Sequence, residues 1–555
     1  MKAYLEKYRS RLFLTGLLVF LVHGARMNAG IIGIDTEDLL HLQDDFYGGW
    51  LHTGRQGLVF LKYFLGNAQY NPFFSGTMTV LLFAVSVAAF LSLWDRAGRP
   101  AGLWGWGCGA LLWVSHPAMA EQFYFSLQGM EICLGIGLTA LALYFSFRWA
   151  RGDGAFWAVG GGGILLLTFS VYQIFVVLYI FGTVALLLCQ ALGEVAEGGK
   201  PEGKGLFKHV VPYCAVFLGA FLLNTVITRL FFGSSDYLQN QIYWGHASVK
   251  DCLHAIAGHV VKAFTGYGSI FYHPGLGVLA LFDFVLLYAF LARLCPEKGS
   301  GKAVILFFYL AMLATPFMMT VLLGGMPAMR SQMVLPAMTG FLGYLGIWLA
   351  QRQELDPGIQ QESGPGIQQE PCVGIQRDSG SGIQQEPCTG IQQKRLYPSR
   401  QHGVLLCSMA AVCLISGSIQ AKVTGRLYYT DWCRYEQDAA LGRSVIERIE
   451  QVMPEGEPLP VMVVGGREFS GNNACVTGEV IGRSFFSYDR EVEPVPFWST
   501  RRVLGFLHTL GADYVQAPKE RAGEALDSSA DMPVWPGEGS VQVKNGMIIV
   551  KLSLD

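Results

Sequence analysis

Up to about residue 420 the chain alternates between long apolar runs and short polar connections. A run of roughly 20 mostly apolar residues crosses the hydrocarbon core of a bilayer as a helix. Such runs fall at Leu12–Ile32, Phe73–Trp94, Gly102–Ser115, Phe123–Phe147, Ala155–Phe169, Ile174–Ala191 and Val210–Phe231. Further runs lie at Leu276–Leu294, Ala303–Leu323, Val334–Ala350 and Gly403–Gln420. About eleven spans are therefore expected. After the last one the pattern changes. "SVIERIEQVM" and "RRVLGFLHTLG" have the spacing of amphipathic helices, and "LPVMVVG" and "MIIVKLSL" read as strands, which predicts a small α/β domain.

The fold class expected is mainly α, a polytopic transmembrane bundle carrying a small C-terminal α/β domain. Residues 1–350 form the membrane region with an outer loop at 33–57, 351–402 a linker, 403–420 the last span, and 421–555 the α/β domain. Within the linker, Gly358, Gly366, Gly374, Gly382 and Gly390 mark a period-eight repeat of Gln, Gly, Pro and Ser with one Ile per unit. That composition buries too little surface to offset chain entropy, so disorder is expected. The start, "MKAYLEKYRSRLFLTGLLVFLV", has basic and apolar regions with no small-residue cleavage site after them, which reads as a retained signal anchor.

Composition agrees: 52% hydrophobic and only 15% charged residues exclude an ordinary soluble domain. A net charge of −2 with no Lys/Arg-rich block excludes a nucleic-acid groove. Lys and Arg gather in alternate connections: Lys7 to Arg11, Arg96 and Arg99, Arg148 and Arg151, Lys200 to Lys208, Arg293 to Lys302, and Lys394 to Arg400. The other connections are nearly bare. By the positive-inside rule the N-terminus is cytoplasmic, and an odd number of crossings puts the C-terminus outside. Twelve cysteines show no zinc spacing; only Cys433 and Cys475, in the polar tail, are placed to pair in an oxidising compartment.

Polar residues near the outward ends are the candidate chemistry, because ionisable groups at membrane depth are costly without a partner or substrate. "GIDTEDLL" supplies Asp35, Glu37 and Asp38, and the stretch after it adds Arg55. "SHPAMAEQFYFSLQGME" supplies His116, Glu121 and Glu131, "SVYQIF" supplies Tyr172 and Gln173, and "GGMPAMRSQM" supplies Arg330. Carboxylates serve as general bases toward a hydroxyl and arginines hold phosphate, so transfer of a sugar from a polyprenyl phosphate suits the set. Mg2+ or Mn2+ on the same oxygens is a further expectation that spacing alone does not select. Each residue also has a plain role open to it: helix-start acids, headgroup anchors, caps and buried pairs. "GGGG" at 160–163 follows no strand and reads as close helix packing.

"GIDTEDLL…GGWLHTGRQG", the Tyr-Gln pair of "SVYQIF" and Arg330 in a late outer loop resemble the glucosyltransferase type II (O-antigen glucosyltransferase) family. The resemblance implies a GT-C-like membrane enzyme that inverts the anomeric carbon as it moves a hexose, glucose first, from a polyprenyl-phosphate donor to a cell-surface glycan acceptor. It also implies that Asp35, Glu37 or Asp38 is the catalytic base. The expected setting is the cell membrane, among membrane lipids, beside a flippase and a donor synthase. Rival readings are a lipid-linked polysaccharide polymerase or ligase and a flippase-type transporter. A transporter would show related halves with matching broken spans, and none are evident.

Overall fold

The computed structural model describes residues 2–27, 29–199, 203–233, 241–294, 300–353, 400–456 and 458–554. The octapeptide tract, Lys200, Lys298, Lys394 and Arg395 lie outside them. The first helices are α1 (Lys2–Met27), α2 (Thr36–His41), α3 (Gln43–His52), α4 (Gln56–Phe64), α5 (Pro72–Ala97) and α6 (Gly102–Ser115). Next come α7 (Ala118–Tyr124), α8 (Gly129–Ala150), α9 (Ala155–Val171), α10 (Ile174–Ala196) and α11 (Gly203–Phe231). They are followed by α12 (Val249–Thr265), α13 (Gly275–Leu294), α14 (Ser300–Ala314), α15 (Met318–Leu323) and α16 (Val334–Arg352). The chain ends with α17 (Arg400–Val452), β1 (Val461–Val464), α18 (Phe497–Thr509), α19 (Ala522–Ser529), β2 (Val541–Lys544) and β3 (Met547–Lys551).

Among the described residues nine helical segments are long and apolar enough to cross a membrane. Two of the expected spans fall on shorter helices, α6 with 14 residues and α9 with 17. At 1.5 Å per residue these reach about 21 and 26 Å, near or below the roughly 30 Å hydrocarbon core. The chain is a mainly α membrane protein.

Small residues set the packing. The central helix α16 is almost wholly buried and crosses α6 where glycines meet. A Cβ on Gly340 would stand 2.7 Å from the Gly109 carbonyl oxygen and 2.8 Å from Trp113 Cβ. Without side chains the two backbones touch, the mode by which membrane helices replace the missing hydrophobic drive. Of the 160–163 glycines, Gly160 and Gly161 lie against Phe145 of α8, while Gly162 and Gly163 face open space. Asn71 starts α5 by accepting the Phe73 and Phe74 amides, with Pro72 in the first turn where a missing N–H costs nothing.

The last span does not stop at Gln420. The amphipathic "SVIERIEQVM" is the C-terminal part of the same helix, 53 residues and about 80 Å long. Its C-terminal portion carries a small sheet of order β1-β3-β2, in which β1 runs parallel and β2 antiparallel to β3. β1, β3 and α18 coincide with the segments whose periodicity marks them in the sequence, whereas β2 and α19 are additions to that expectation. Cys433 on α17 and Cys475 are free thiols within hydrogen-bonding reach of each other.

Candidate active site

The connections carrying the candidate residues gather at one end of the bundle, under the C-terminal domain. Residues 30–34 lead into a tight turn in which Thr36 N–H donates to the Gly33 carbonyl, 3.2 Å, and Ile34 N–H to the Tyr124 hydroxyl, 3.2 Å. A Cβ on Gly33 would sit 2.5 Å from the Tyr124 carbonyl oxygen, so only glycine lets the turn lie this close to α7. The turn leaves Asp35 left-handed, φ 73°, immediately before α2. A non-glycine residue there carries strain, and such outliers concentrate at functional sites.

Asp35 opens onto a cavity of about 320 Å3, which Asp45, Trp50, Arg55, Gln128, Arg330 and Arg501 also line. Arg55 lies over the Tyr172 ring, 5.0 Å from its centre, and its Nε is buried with no hydrogen-bond partner among the described residues. Tyr172 is held by Ser331, 2.8 Å between hydroxyls, and Gln173 donates to the Thr53 carbonyl at 3.0 Å. The Tyr-Gln pair therefore props the loop that carries Arg55. Arg330 lies over Phe125, 4.6 Å from the ring centre. A cation on an aromatic face keeps its charge available with little solvent around it.

Glu37 and Asp38 do not line this cavity and reach α18 instead. Arg502 Nη1 donates to Asp35 at 3.1 Å and also to Glu37, while its Nη2 donates to Asp489 at 2.6 Å. Arg501 Nε donates to Asp38 at 3.2 Å. Gly505, one turn on, has no Cβ to hold α18 off the Glu37 side chain. A Mg2+ or Mn2+ ion at these oxygens would have to displace guanidinium groups. Glu37 is fully buried and its Oε2 has no hydrogen-bond partner among the described residues. Burial pushes its carboxyl up to about 8, against the opposing pull of Arg502.

Three sequence candidates sit in supporting structure. Glu131 is buried and paired with Lys62 at 3.0 Å, with Asn67 donating at 3.1 Å. Lys62 also donates to the carbonyl of Leu127, a cavity-lining residue. His116 ends α6 and accepts the Ala118 amide through Nδ1 at 3.2 Å; burial lowers its basicity to about 3. Glu121 grips the C-terminal domain. Its carboxylate accepts the Glu479 amide at 2.6 Å and the Val480 amide at 3.2 Å, and Gly478 passes too close for any side chain. Glu479 in turn accepts the Met329 amide at 2.7 Å, next to Arg330. Burial raises the Glu121 carboxyl to about 7.

Sequence reasoning missed the cations and acids contributed from the far end of the chain. Besides Arg501, Arg502 and Glu479, α17 supplies a buried network: Arg26 donates to Asp431 at 2.7 Å, and Arg434 donates to Asp431 at 2.5 Å and to the Ile32 carbonyl at 3.1 Å. The signal existed in Asp431, Arg434 and Asp438, spaced three and four apart on one helix face, and in the paired arginines that open "RRVLGFLHTLG".

The sequence profile of the family described as Glucosyl transferase GtrII matches residues 27–346, more than half of the chain. The chain belongs to this family. It is accordingly a membrane glycosyltransferase, and glucosyl transfer is the activity that membership supports. No curated protein and no solved structure matched it. In this glucosyl transferase the first-loop acids, Arg55 and Arg330 all lie within the matched segment, whereas α17 and α18, which supply Arg434, Arg501 and Arg502, lie beyond it.

The raised carboxyls give the transferase a pH signature. Glu37 and Glu121 move from an ordinary 4.5 to about 8 and about 7, so the folded state favours their protonated forms. Their contribution to stability is complete below about pH 4.5 and is lost as pH rises through 7 to 8. The melting temperature in detergent is expected to fall across that window, and Glu37→Gln with Glu121→Gln to flatten the fall. A slope unchanged in the double variant would show that other groups set it.

Proposed function

We propose that this glucosyl transferase takes its sugar from a polyprenyl phosphate and delivers it to a surface glycan at the outer face of the cell membrane. The observation that carries the reading is the cavity in which Asp35 and Asp45 meet Arg55, Arg330 and Arg501, at the junction of the bundle and the C-terminal domain. Asp35 accepts the proton of the acceptor hydroxyl. The freed oxygen attacks the anomeric carbon, and the bond from that carbon to the phosphate oxygen breaks. The lipid phosphate leaves with the bonding pair, its charge held by Arg55 and Arg330. Attack opposite the leaving group inverts the configuration, and a developing oxocarbenium ion is stabilised by carboxylates around it. Arg96, Arg99, Arg148, Arg151 and Arg293 occupy connections on the other side of the spans, which supports placing the acid-rich end outside by the positive-inside rule.

The test is direct. Protein purified from membranes is extracted and its lipids analysed by mass spectrometry, and transfer is assayed with polyprenyl-phosphate glucose. A co-purifying hexosyl polyprenyl phosphate, and a donor KM raised by roughly tenfold or more in both Arg55→Ala and Arg330→Ala, are expected from loss of charge-assisted phosphate contacts. A donor KM unchanged in both variants would remove the phosphate-binding role.

A further inference from the structure

A second cluster sits on the same junction, and none of its members lines the cavity. Helix α18 ends in a turn closed by two hydrogen bonds, Ala512 N–H to the Leu507 carbonyl at 3.2 Å and Gly511 N–H to the His508 carbonyl at 3.0 Å. Gly511 supplies the left-handed residue this termination needs, φ 98°. The turn folds Asp513 back beside His508, 3.4 Å from Nδ1 to Oδ1. From the membrane region, His41 closes α2 and brings its Nε2 to 3.5 Å from the same Asp513 oxygen. The two imidazoles are 4.6 Å apart between ring centres.

One ligand atom from each of the three residues falls within 4.8 Å of the others. Around a metal held at about 2.0–2.1 Å, tetrahedral ligands stand about 3.3–3.4 Å apart. Two of the three separations already have nearly that value, and the third is no more than 4.8 Å. Two imidazoles and one carboxylate form a borderline donor set, matched to Zn2+ and its neighbours rather than to Mg2+ or Ca2+. His41 Nδ1 is buried and makes no hydrogen bond among the described residues. Asp513 is 77% exposed, leaving room for water as the fourth ligand.

We propose that His41, His508 and Asp513 bind a zinc-class divalent ion that staples the first-loop helix to the C-terminal domain. The staple joins α2, with Glu37 and Asp38, to α18, with Arg501 and Arg502, so an ion there holds the arginines against the acids. The inference does not depend on which sugar or carrier is used.

The test uses the full chain in detergent with any polyhistidine tag removed, titrated with Co2+, Zn2+ and Mg2+. A visible Co2+ absorption band that Zn2+ displaces is expected, with a Zn2+-dependent rise in melting temperature of roughly 5 °C and none with Mg2+. Asp513→Asn, on an exposed side chain that folding does not need, and His508→Ala are each expected to weaken Zn2+ binding at least tenfold. Absence of the Co2+ band would overturn the proposal. So would a Zn2+ response that survives both substitutions, or one that Mg2+ reproduces.

Discussion

Asp35→Asn is expected to cut glucosyl transfer by roughly 10^2- to 10^4-fold, the usual contribution of a positioned general base, while the protein inserts and melts like the wild type. The substitution is a clean probe because asparagine tolerates the left-handed conformation, φ 73°, as readily as aspartate does. It also keeps an oxygen for the Arg502 Nη1 contact at 3.1 Å. What it removes is the capacity to take a proton. Glu37→Gln is the informative contrast. Glu37 is fully buried against α18 and does not line the cavity, so its amide is expected to retain most transfer activity. Full activity in Asp35→Asn membranes supplied with lipid-linked donor would take the base away from this residue and leave Asp45, on the same cavity, as the acid to examine.

Arg502→Met is the second large effect, and it falls on stability. One guanidinium serves Asp35, Glu37 and Asp489, and its own side chain is only 11% exposed. Removing it leaves Asp35 and Asp489 crowded together without a counter-charge and buried Glu37 without its donor, a loss of about 3 kcal/mol, the lower end for a broken buried pair. The expected readout is a lower melting temperature, with the C-terminal domain opened to limited proteolysis while the bundle stays protected. Adding Asp489→Asn should restore part of the loss, since it removes one of the stranded charges. Additive destabilisation in the double variant would mean that Asp489 and Arg502 are not coupled.

Most of the spans were legible because length and apolarity alone decide them, and β1, β3 and α18 because their periodicity is local; β2, four residues long, carries too short a pattern to stand out. Grouping Asp35 with Arg55 and Arg330 was legible too, since topology forces connections at one end of a bundle to converge. The partners of Glu37, Asp38 and Glu121 were not. They lie more than 350 residues further along the chain, and nothing in "GIDTEDLL" says that Arg501 and Arg502 will descend on it. Nor does hydropathy reveal that the last span continues unbroken: the apolar signal stops near Gln420, but helical backbone geometry has no reason to stop with it.

That unbroken rod has a mechanical consequence. A roof carried on one stiff strut, and riveted below by Arg26, Asp431 and Arg434, has no pivot on which to swing. The opening beneath it is therefore expected to keep one shape. Which acceptors it admits should then depend on the side chains at its edge, and altered selectivity should trace to changes there rather than to any loosening of the strut.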